Sequence, residues 1–328
     1  MEKVALIKDI NTGWWKKFSA ALTKNGVSCK PIDVEHNDWL EQIGPVEHVL
    51  WRPNLVEPYL RQSTEKLFLL ENILGKKVYP NQKTFWHYNN KNAESYLAKV
   101  KGIKMPERFV SYSYEDTLQY LQRCRYPLVS KTAGGAGSRN VRLLKDFSTA
   151  KKELDYLFNK DFKNRSINKI LKNCGLRHTK YDMQRYYVHY QEFVPGNVRD
   201  FRVTTIGNKY VFAFFRRNRK NDFRASGSGL IEYDRTDHNF TVMQYCLDVS
   251  RENGFDTMCY DILYTDKQFV SVEFSYIFND KAIYDCPGHY ELQNGNLKFV
   301  DGNVWPQELI VEYLLEKWSL SSDKSLVH

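Results

Sequence analysis

The residues best equipped for chemistry lie in one stretch, Cys259 to Ser275, of this 328-residue chain. Tyr260 to Tyr264 and Phe269 to Phe274 are rich in aromatic and branched residues, and Thr265-Asp266-Lys267-Gln268 separates them. That pattern reads as two β-strands about a polar turn. A hairpin centred on Lys267 sets Asp261 opposite Glu273, and period-two alternation puts both carboxylates and Ser275 on one face. Two facing carboxylates repel unless a cation lies between them, and a hard divalent ion such as Mg²⁺ takes oxygen donors of this kind. A surface pair of acids with no ion is the plain alternative.

Further chemistry lies upstream. Tyr126 to Lys131 reads as a strand that runs into Thr132-Ala133-Gly134-Gly135-Ala136-Gly137-Ser138, and Val141 to Leu144 leaves as another. A glycine-rich loop between strands exposes backbone N–H groups that can wrap phosphate oxygens. It is not a P-loop, because no Gly-Lys-Ser/Thr follows. Nor is it the dinucleotide fingerprint, because Asn140 stands where the third Gly belongs and no helix opens there. The alternative is a flexible hairpin tip. Arg199 to Ile206 alternates cleanly, and Gly207-Asn208 turns it into Tyr210 to Phe215, a hairpin carrying Asp200 and Arg202 and running out to Arg216. The stretch Arg216 to Gly229, with Arg224 inside it, is a loop dense in guanidinium and glycine.

The elements around these groups follow from periodicity and punctuation. Val4 to Ile7, Ser28 to Val34 and Glu47 to Trp51 read as strands, and Lys77-Val78-Tyr79 follows them. Between them come helical patterns at Trp14 to Lys24, from a cap at Asn37 or Asp38 to Ile43, and from Ser63 or Thr64 to Leu74, so the start of the chain is α/β with a parallel sheet. Further helices are expected at Asn90 to Val100, which carries Lys91, at Tyr114 to Cys124, Asp146 to Phe158, Met243 to Asn253 and Pro306 to Trp318. Tyr186 to Phe193 reads as an aromatic strand and Asn294-Gly295 as a polar turn.

Composition sets the outer bounds. No apolar run nears the roughly 20 residues of a membrane span, and the first residues lack a secretory core, so a cytoplasmic protein is expected. Six scattered cysteines with no Cys-x-x-Cys pair argue for reduced, structural thiols. A net charge of +9 suggests an anionic partner, with the excess concentrated in Lys160 to Arg185 and Arg216 to Lys220. The first of these clusters carries no nucleic-acid-binding motif, so nucleic acid is not expected.

Taken in order, Lys91, Lys131 with its Gly-rich loop, Gln191-Glu192-Phe193-Val194, Asp200-Phe201-Arg202, Asn221-Asp222-Phe223-Arg224-Ala225-Ser226, and finally Asp261 and Glu273 resemble the ATP-grasp superfamily on its RimK-like side. The resemblance covers about residues 80 to 280. Lys-Thr-Ala-Gly-Gly-Ala-Gly-Ser, Asp-Phe-Arg-Ala-Ser-Gly-Ser-Gly and Val-Glu-Phe-Ser-Tyr resemble a subgroup found in bacterial surface-polysaccharide gene clusters. The resemblance implies an α/β, or α+β, fold: a Rossmann-like N-terminal domain over 1–82, a central lid subdomain over 83–190, and a C-terminal subdomain with the metal site over 191–320. Residues 321–328 are expected to form a disordered tail.

It also implies roles. ATP is the nucleotide, with one or two Mg²⁺ ions, or Mn²⁺ in their place. Lys91 and Lys131 approach the phosphates, and Gly134, Gly135, Ala136, Gly137 and Ser138 close over them. The strand Gln191, Glu192, Phe193, Val194 reads adenine through the backbones of Glu192 and Val194, with Phe193 turned into the core. Asp200 orients Arg202 or meets ribose, or else forms a plain ion pair with it. Asp261 and Glu273 match the metal set, but Ser275 stands where the family has Asn. Arg202 and Arg224, then Arg216, are the candidates for stabilising transferring charge. The implied reaction is carboxylate–amine ligation with ADP release through an acyl phosphate. The substrates are a small-molecule, glycan or peptide carboxylate (a uronic acid or acidic peptide among them) and an amine. A homodimer is open. The alternatives are an ATP-grasp kinase, or a nucleotide-binding protein with weak turnover, the latter prompted by Ser275.

Overall fold

The structure is a computed structural model, and it describes residues 3–9, 12–56, 58–135, 140–158, 185–220, 222–225 and 227–320. Ala136, Gly137, Ser138, most of the basic segment 160–185 and the tail 321–328 lie outside the described residues.

The first 80 residues alternate strand and helix as the sequence predicts: β1 (Val4–Ile7), α1 (Trp14–Lys24), β2 (Cys29–Ile32), α2 (Trp39–Ile43), β3 (His48–Leu50), α3 (Tyr59–Phe68) and β4 (Lys77–Tyr79). The strands form a parallel sheet in the order β2-β1-β3-β4. The helix α3 begins earlier than its Ser and Thr suggest. Ser63 does not cap it; its hydroxyl donates back to the carbonyls of Tyr59 and Leu60 from within the helix. The last turn then widens to a π-helical one over Leu69–Ile73.

A short α4 (Gln82–Phe85), capped by Asn81, was not expected. Next comes α5 (Lys91–Lys101), whose Asn90 side chain accepts from the Ala93 N–H and which ends at Gly102, φ 64°. The part expected to form the lid follows with β5 (Arg108–Ser111), α6 (Tyr114–Arg123), β6 (Leu128–Ser130), β7 (Arg142–Leu144), α7 (Phe147–Phe158) and β8 (Val188–Glu192). Its sheet is antiparallel, ordered β5-β8-β6-β7. It has a core of its own, in which Tyr120, Leu121, Leu128, Leu144, Ala150, Leu154, Val188 and Tyr190 meet.

The rest builds a large antiparallel sheet from β9 (Arg199–Ile206), β10 (Tyr210–Arg217), β11 (Ile231–Glu232), β12 (Thr257–Tyr264), β13 (Phe269–Ser275), β14 (Gly288–Gln293) and β15 (Asn296–Asp301). The order is β13-β12-β9-β10-β14-β15, with β11 beside β10. Helix α8 (Phe240–Asn253) starts three residues before the expected Met243 and is capped by Asn239. Two more helices, α9 (Asp280–Tyr284) and α10 (Pro306–Trp318), complete the chain. The Asn294-Gly295 turn joins β14 to β15 with φ 50° and 78°, both positive as a tight two-residue hairpin needs.

Alternation gives the large sheet two different faces. Phe201, Val203, Val211, Phe215, Met258, Tyr260 and Phe274 pack under α8. On the other face Ile206, Tyr210, Phe212, Phe214 and Cys259 pack against α1 and α10. Both cores also take in residues of β1 and β3, so the first sheet and the large sheet are built into one another.

Candidate active site

At one end of the second face the apolar pattern stops and charge takes over. Cross-strand register puts Arg216 beside Asp200, Arg202 beside Asp261, and Asp261 beside Glu273, so the charges form a row over β10, β9, β12 and β13. Asp261 does face Glu273 as the hairpin reading required, but by a route the sequence did not suggest. Next to the turn the register is Tyr264 with Phe269, and a β-bulge at Val272 moves it by one residue to pair Asp261 with Glu273. Bulges of this kind re-aim side chains at edges and next to sites, and β13 is an edge strand. The bulge also presents the Val272 carbonyl as an acceptor. Lys131 Nζ donates to it at 3.0 Å and Arg108 Nη2 at 2.8 Å.

Asp261 is held by two guanidinium groups. Arg202 donates through Nε at 2.8 Å and Nη2 at 2.9 Å, and Arg216 Nη2 lies at 2.8 Å. Burial alone would raise the Asp261 carboxyl, but Arg202 and Arg216 overcome it and hold it below the usual range. Asp200 receives Arg216 Nε at 2.9 Å. Its own carboxyl is raised by burial and by neighbouring Asp261, against the pull of Arg216. Asp200 therefore pairs with Arg216 across the strands, and not with Arg202 two positions along its own strand. With a side chain only 8% exposed, Arg216 lies beneath Asp261, spent on two carboxylates.

The lysines arrive from the other side. Lys91 Nζ is 3.4 Å from Glu273 and donates to the Gly135 carbonyl at 3.0 Å. Lys131 Nζ donates to Gln191 Oε1 at 2.7 Å. Burial, then the like charge of Arg108, pulls the Lys131 ammonium down to about 7. Glu273 is the open member of the set, its side chain 38% exposed. Burial opposes its ionisation, yet Lys91 and Lys131 hold its carboxyl low. Ser275 pairs with Cys259 on the same face, and its hydroxyl accepts the Ile277 N–H at 3.4 Å.

The Gly-rich loop docks on the start of α5. Lys91 N–H donates to the Ala133 carbonyl, Gly135 N–H to Asn89, and Ala133 N–H to the Tyr187 hydroxyl. Gly135 sits at φ 121°, a conformation suited to glycine. On the strand expected to read adenine, the Glu192 N–H is instead committed to the Glu107 carbonyl. Phe193 and Val194 are half-buried, and Phe193 packs edge-on against Phe223 at 5.6 Å. Arg224 does not join the row. It folds onto Asp222, with Nη1 3.5 Å from the Val141 carbonyl of the lid hairpin. Arg217 pairs with Glu232, so part of the charge in the basic loop is neutralised within the protein.

Sequence reasoning missed Glu94 and Arg108. They form a buried pair at 3.1 Å behind the lysines, and Arg108 also reaches Ser95. Burial and the nearby Glu273 raise the Glu94 carboxyl, against Arg108.

Among the described residues no three His, Cys, Asp or Glu side chains gather as a metal cage. The donors present are two facing carboxylates and a serine oxygen. Mg²⁺ commonly keeps several waters and is bound through one or two carboxylates plus substrate phosphates, so this donor set suits it.

No family model matches the chain. It is 27% identical over 186 residues, 57% of its length, to the alpha-aminoadipate–LysW ligase LysX of Sulfurisphaera tokodaii, and the match covers 56% of that protein. The chain thus spans about half the length of the curated relatives it matches. Among solved structures it is similar to the ATP-grasp ligase PsnB complexed with minimal precursor, with TM-score 0.61, 12% identity, and coverage of 97% of this chain and 99% of that one. It is also similar to a RimK domain ATP-grasp protein from Sphaerobacter thermophilus, with TM-score 0.56, 14% identity, and coverage of 95% and 99%. The two antiparallel sheets facing each other across Lys91, Lys131 and the Asp261–Glu273 row form an ATP-grasp fold. No helix among the described residues is long and apolar enough to cross a membrane.

Proposed function

We propose that this chain is an ADP-forming carboxylate–amine ligase. The observation that carries the reading is the convergence of Lys91 from α5 and Lys131 from the lid on Glu273 and the bulged Val272 carbonyl, beside an Asp261 fixed by Arg202. In the reading, the two ammonium groups meet the nucleotide phosphates, and the loop from Thr132 onward closes over them. The half-exposed Glu273 and the fixed Asp261 would hold Mg²⁺, with Ser275 as a neutral or water-bridged donor. When bound, that ion would neutralise phosphate charge. A substrate carboxylate oxygen attacks the γ-phosphorus and ADP leaves. The amine then attacks the acyl carbon and phosphate leaves. In this reading Arg202, anchored on Asp261, would stabilise the transferring charge.

For Arg216 we assign a positioning role through Asp261, because its guanidinium is buried and doubly committed. Arg224, anchored to Asp222 beside the lid hairpin, would act as the lid meets the loop. A uronic acid, polysaccharide precursor or acidic peptide as acceptor, and a homodimer, rest on sequence alone. LysX and PsnB are described as ligases in their names, and this supports a ligase over a kinase here.

The test is hydroxylamine as the amine, supplied with ATP, Mg²⁺ and a panel of carboxylates. Hydroxamate and ADP should appear together, and Glu273→Gln should weaken Mg·ATP binding in calorimetry at least roughly a hundredfold while the protein stays folded. A stable phosphorylated product with no hydroxamate would make the protein a kinase, and unchanged nucleotide affinity in Glu273→Gln would remove that residue from the site.

A further inference from the structure

The carboxyl edge of the first sheet holds a cluster that the nucleotide clamp does not use. Asp9 follows β1 and Arg52 follows β3, at the edge where open parallel sheets take their ligands. Asp9 is engaged, accepting the N–H groups of Trp14 and Trp15 at 3.2 and 3.4 Å as α1 opens. Arg52 is not. Its guanidinium lies 5.6 Å from the Trp14 ring, its Nε is buried without a partner, and no hydrogen bond or salt bridge joins it to a described residue.

Two buried phenols lie near this edge. Tyr88 follows α4 and Tyr276 follows β13, and their rings meet edge-on at 4.7 Å. They are 7% and 1% exposed, and neither hydroxyl has a partner. The Arg52 charge reaches Asp9, Tyr79, Tyr88 and Tyr276, so these groups share one neighbourhood. A buried donor without an acceptor is costly, and such groups call for a specific explanation. A single water could satisfy one phenol. It does not account for a guanidinium and two phenols left open together. Tyr276 stands just past the end of β13, three residues along the chain from Glu273, a reach of at most about 10 Å of extended backbone.

We propose that Arg52, with the hydroxyls of Tyr88 and Tyr276, binds a second carboxylate of the substrate whose first carboxylate is activated at Glu273. This deepens the ligase reading and rests on it. A carboxylate suits the cluster better than a phosphate dianion, because Asp9 already offsets the single positive charge of Arg52. The substrate class is therefore a dicarboxylic acid, free or as the acidic end of a larger molecule.

Two measurements separate this site from the ligase reading. The first is thermal stabilisation by dicarboxylates from succinate to suberate at constant ionic strength, with pentanoate and chloride as controls. Wild type should be stabilised by at least one dicarboxylate, and Arg52→Met should bind it roughly ten- to a hundredfold more weakly. The second is hydroxamate formation from the same series. Arg52→Met should raise KM for the dicarboxylate and leave KM for ATP unchanged. Equal stabilisation of wild type and Arg52→Met, or none with any member of the series, overturns the proposal. Arg52-dependent binding without hydroxamate leaves the anion site standing and overturns the ligase reading. If Arg52→Met does not fold, Tyr88→Phe carries the test: several-fold weaker dicarboxylate binding supports the site, and unchanged binding overturns it.

Discussion

Replacing Arg216 with Met separates a positioning arginine from one that touches reacting atoms. Arg216 is 8% exposed and donates to Asp200 and Asp261. Removing one partner of a buried charge pair typically destabilises by about 3–5 kcal/mol, because the charge left behind has lost both water and its counterion. Asp200 would be the stranded charge, since Asp261 keeps both of its bonds from Arg202. Unfolding entropy of about 2.1 cal/mol/K per residue makes about 4 kcal/mol a Tm drop of roughly 6 °C for a chain of this length. The double variant Arg216→Met, Asp200→Leu strands no charge and should recover most of that loss. It should also keep Mg·ATP affinity within about tenfold of wild type, because Arg202 alone still fixes Asp261. Thermal unfolding and nucleotide calorimetry on the wild type, the two single variants and the double variant complete the cycle. A drop below about 1 kcal/mol for Arg216→Met would refute the buried row as a stabilising unit. A double variant that is stable but has lost nucleotide binding would show that Arg216 touches the ligand.

Two other expectations follow from single residues. His87 is enclosed by Phe255 and Phe274, and burial pushes its imidazole down to about 4. The unfolded chain takes up this proton near pH 6.5 while the folded one resists it, so stability is complete above pH 6.5 and falls toward pH 4. The loss approaches about 3 kcal/mol from this group, and His87→Phe should flatten that part of the Tm–pH curve; an unaltered acid limb counts against it. At Ser275, substitution by Asn supplies a carbonyl oxygen in place of a hydroxyl, so the Mg²⁺ concentration that half-saturates ATP binding should fall several-fold. An unchanged Mg²⁺ titration would place Ser275 outside the donor set.

What the sequence made legible was mostly local. The starts of the helices near Asn90 and at Tyr114, and the end of α1 at Lys24, read from a few neighbouring residues because helix ends are decided within one turn. The face shared by Asp261 and Glu273 was equally accessible, since alternation along a strand is fixed by backbone geometry. The partners across strands were not. Asp200 and Arg202 are two apart and look like a pair, but positions two apart on one strand are farther from each other than directly opposed residues on neighbouring strands. The sheet order then decides the partners: β10 brings Arg216 to Asp200, and β12 brings Asp261 to Arg202.

What stayed hidden was the burial of one polar helix face. Lys91, Glu94, Ser95 and Ala98 form one stripe of α5, and so polar a stripe reads as a solvent face, yet all four are buried. What buries it is the lid sheet and the edge strand β13, more than 100 residues away for the latter. Their approach turns Glu94 and Arg108 into a closed pair behind the lysines and brings the Val272 carbonyl to Lys131 and Arg108. The bulge makes the same point. A hairpin with no irregularity and the turn-side register Tyr264–Phe269 would place Asp261 opposite Val272, and Glu273 would be displaced from the face it needs. The carboxylate pair therefore depends on one extra residue in an edge strand, and two cations from the lid side hold that residue's carbonyl. The Asp261–Glu273 geometry and the lysine positions are thus one arrangement, and a change at Arg108, which touches neither carboxylate, should disturb both.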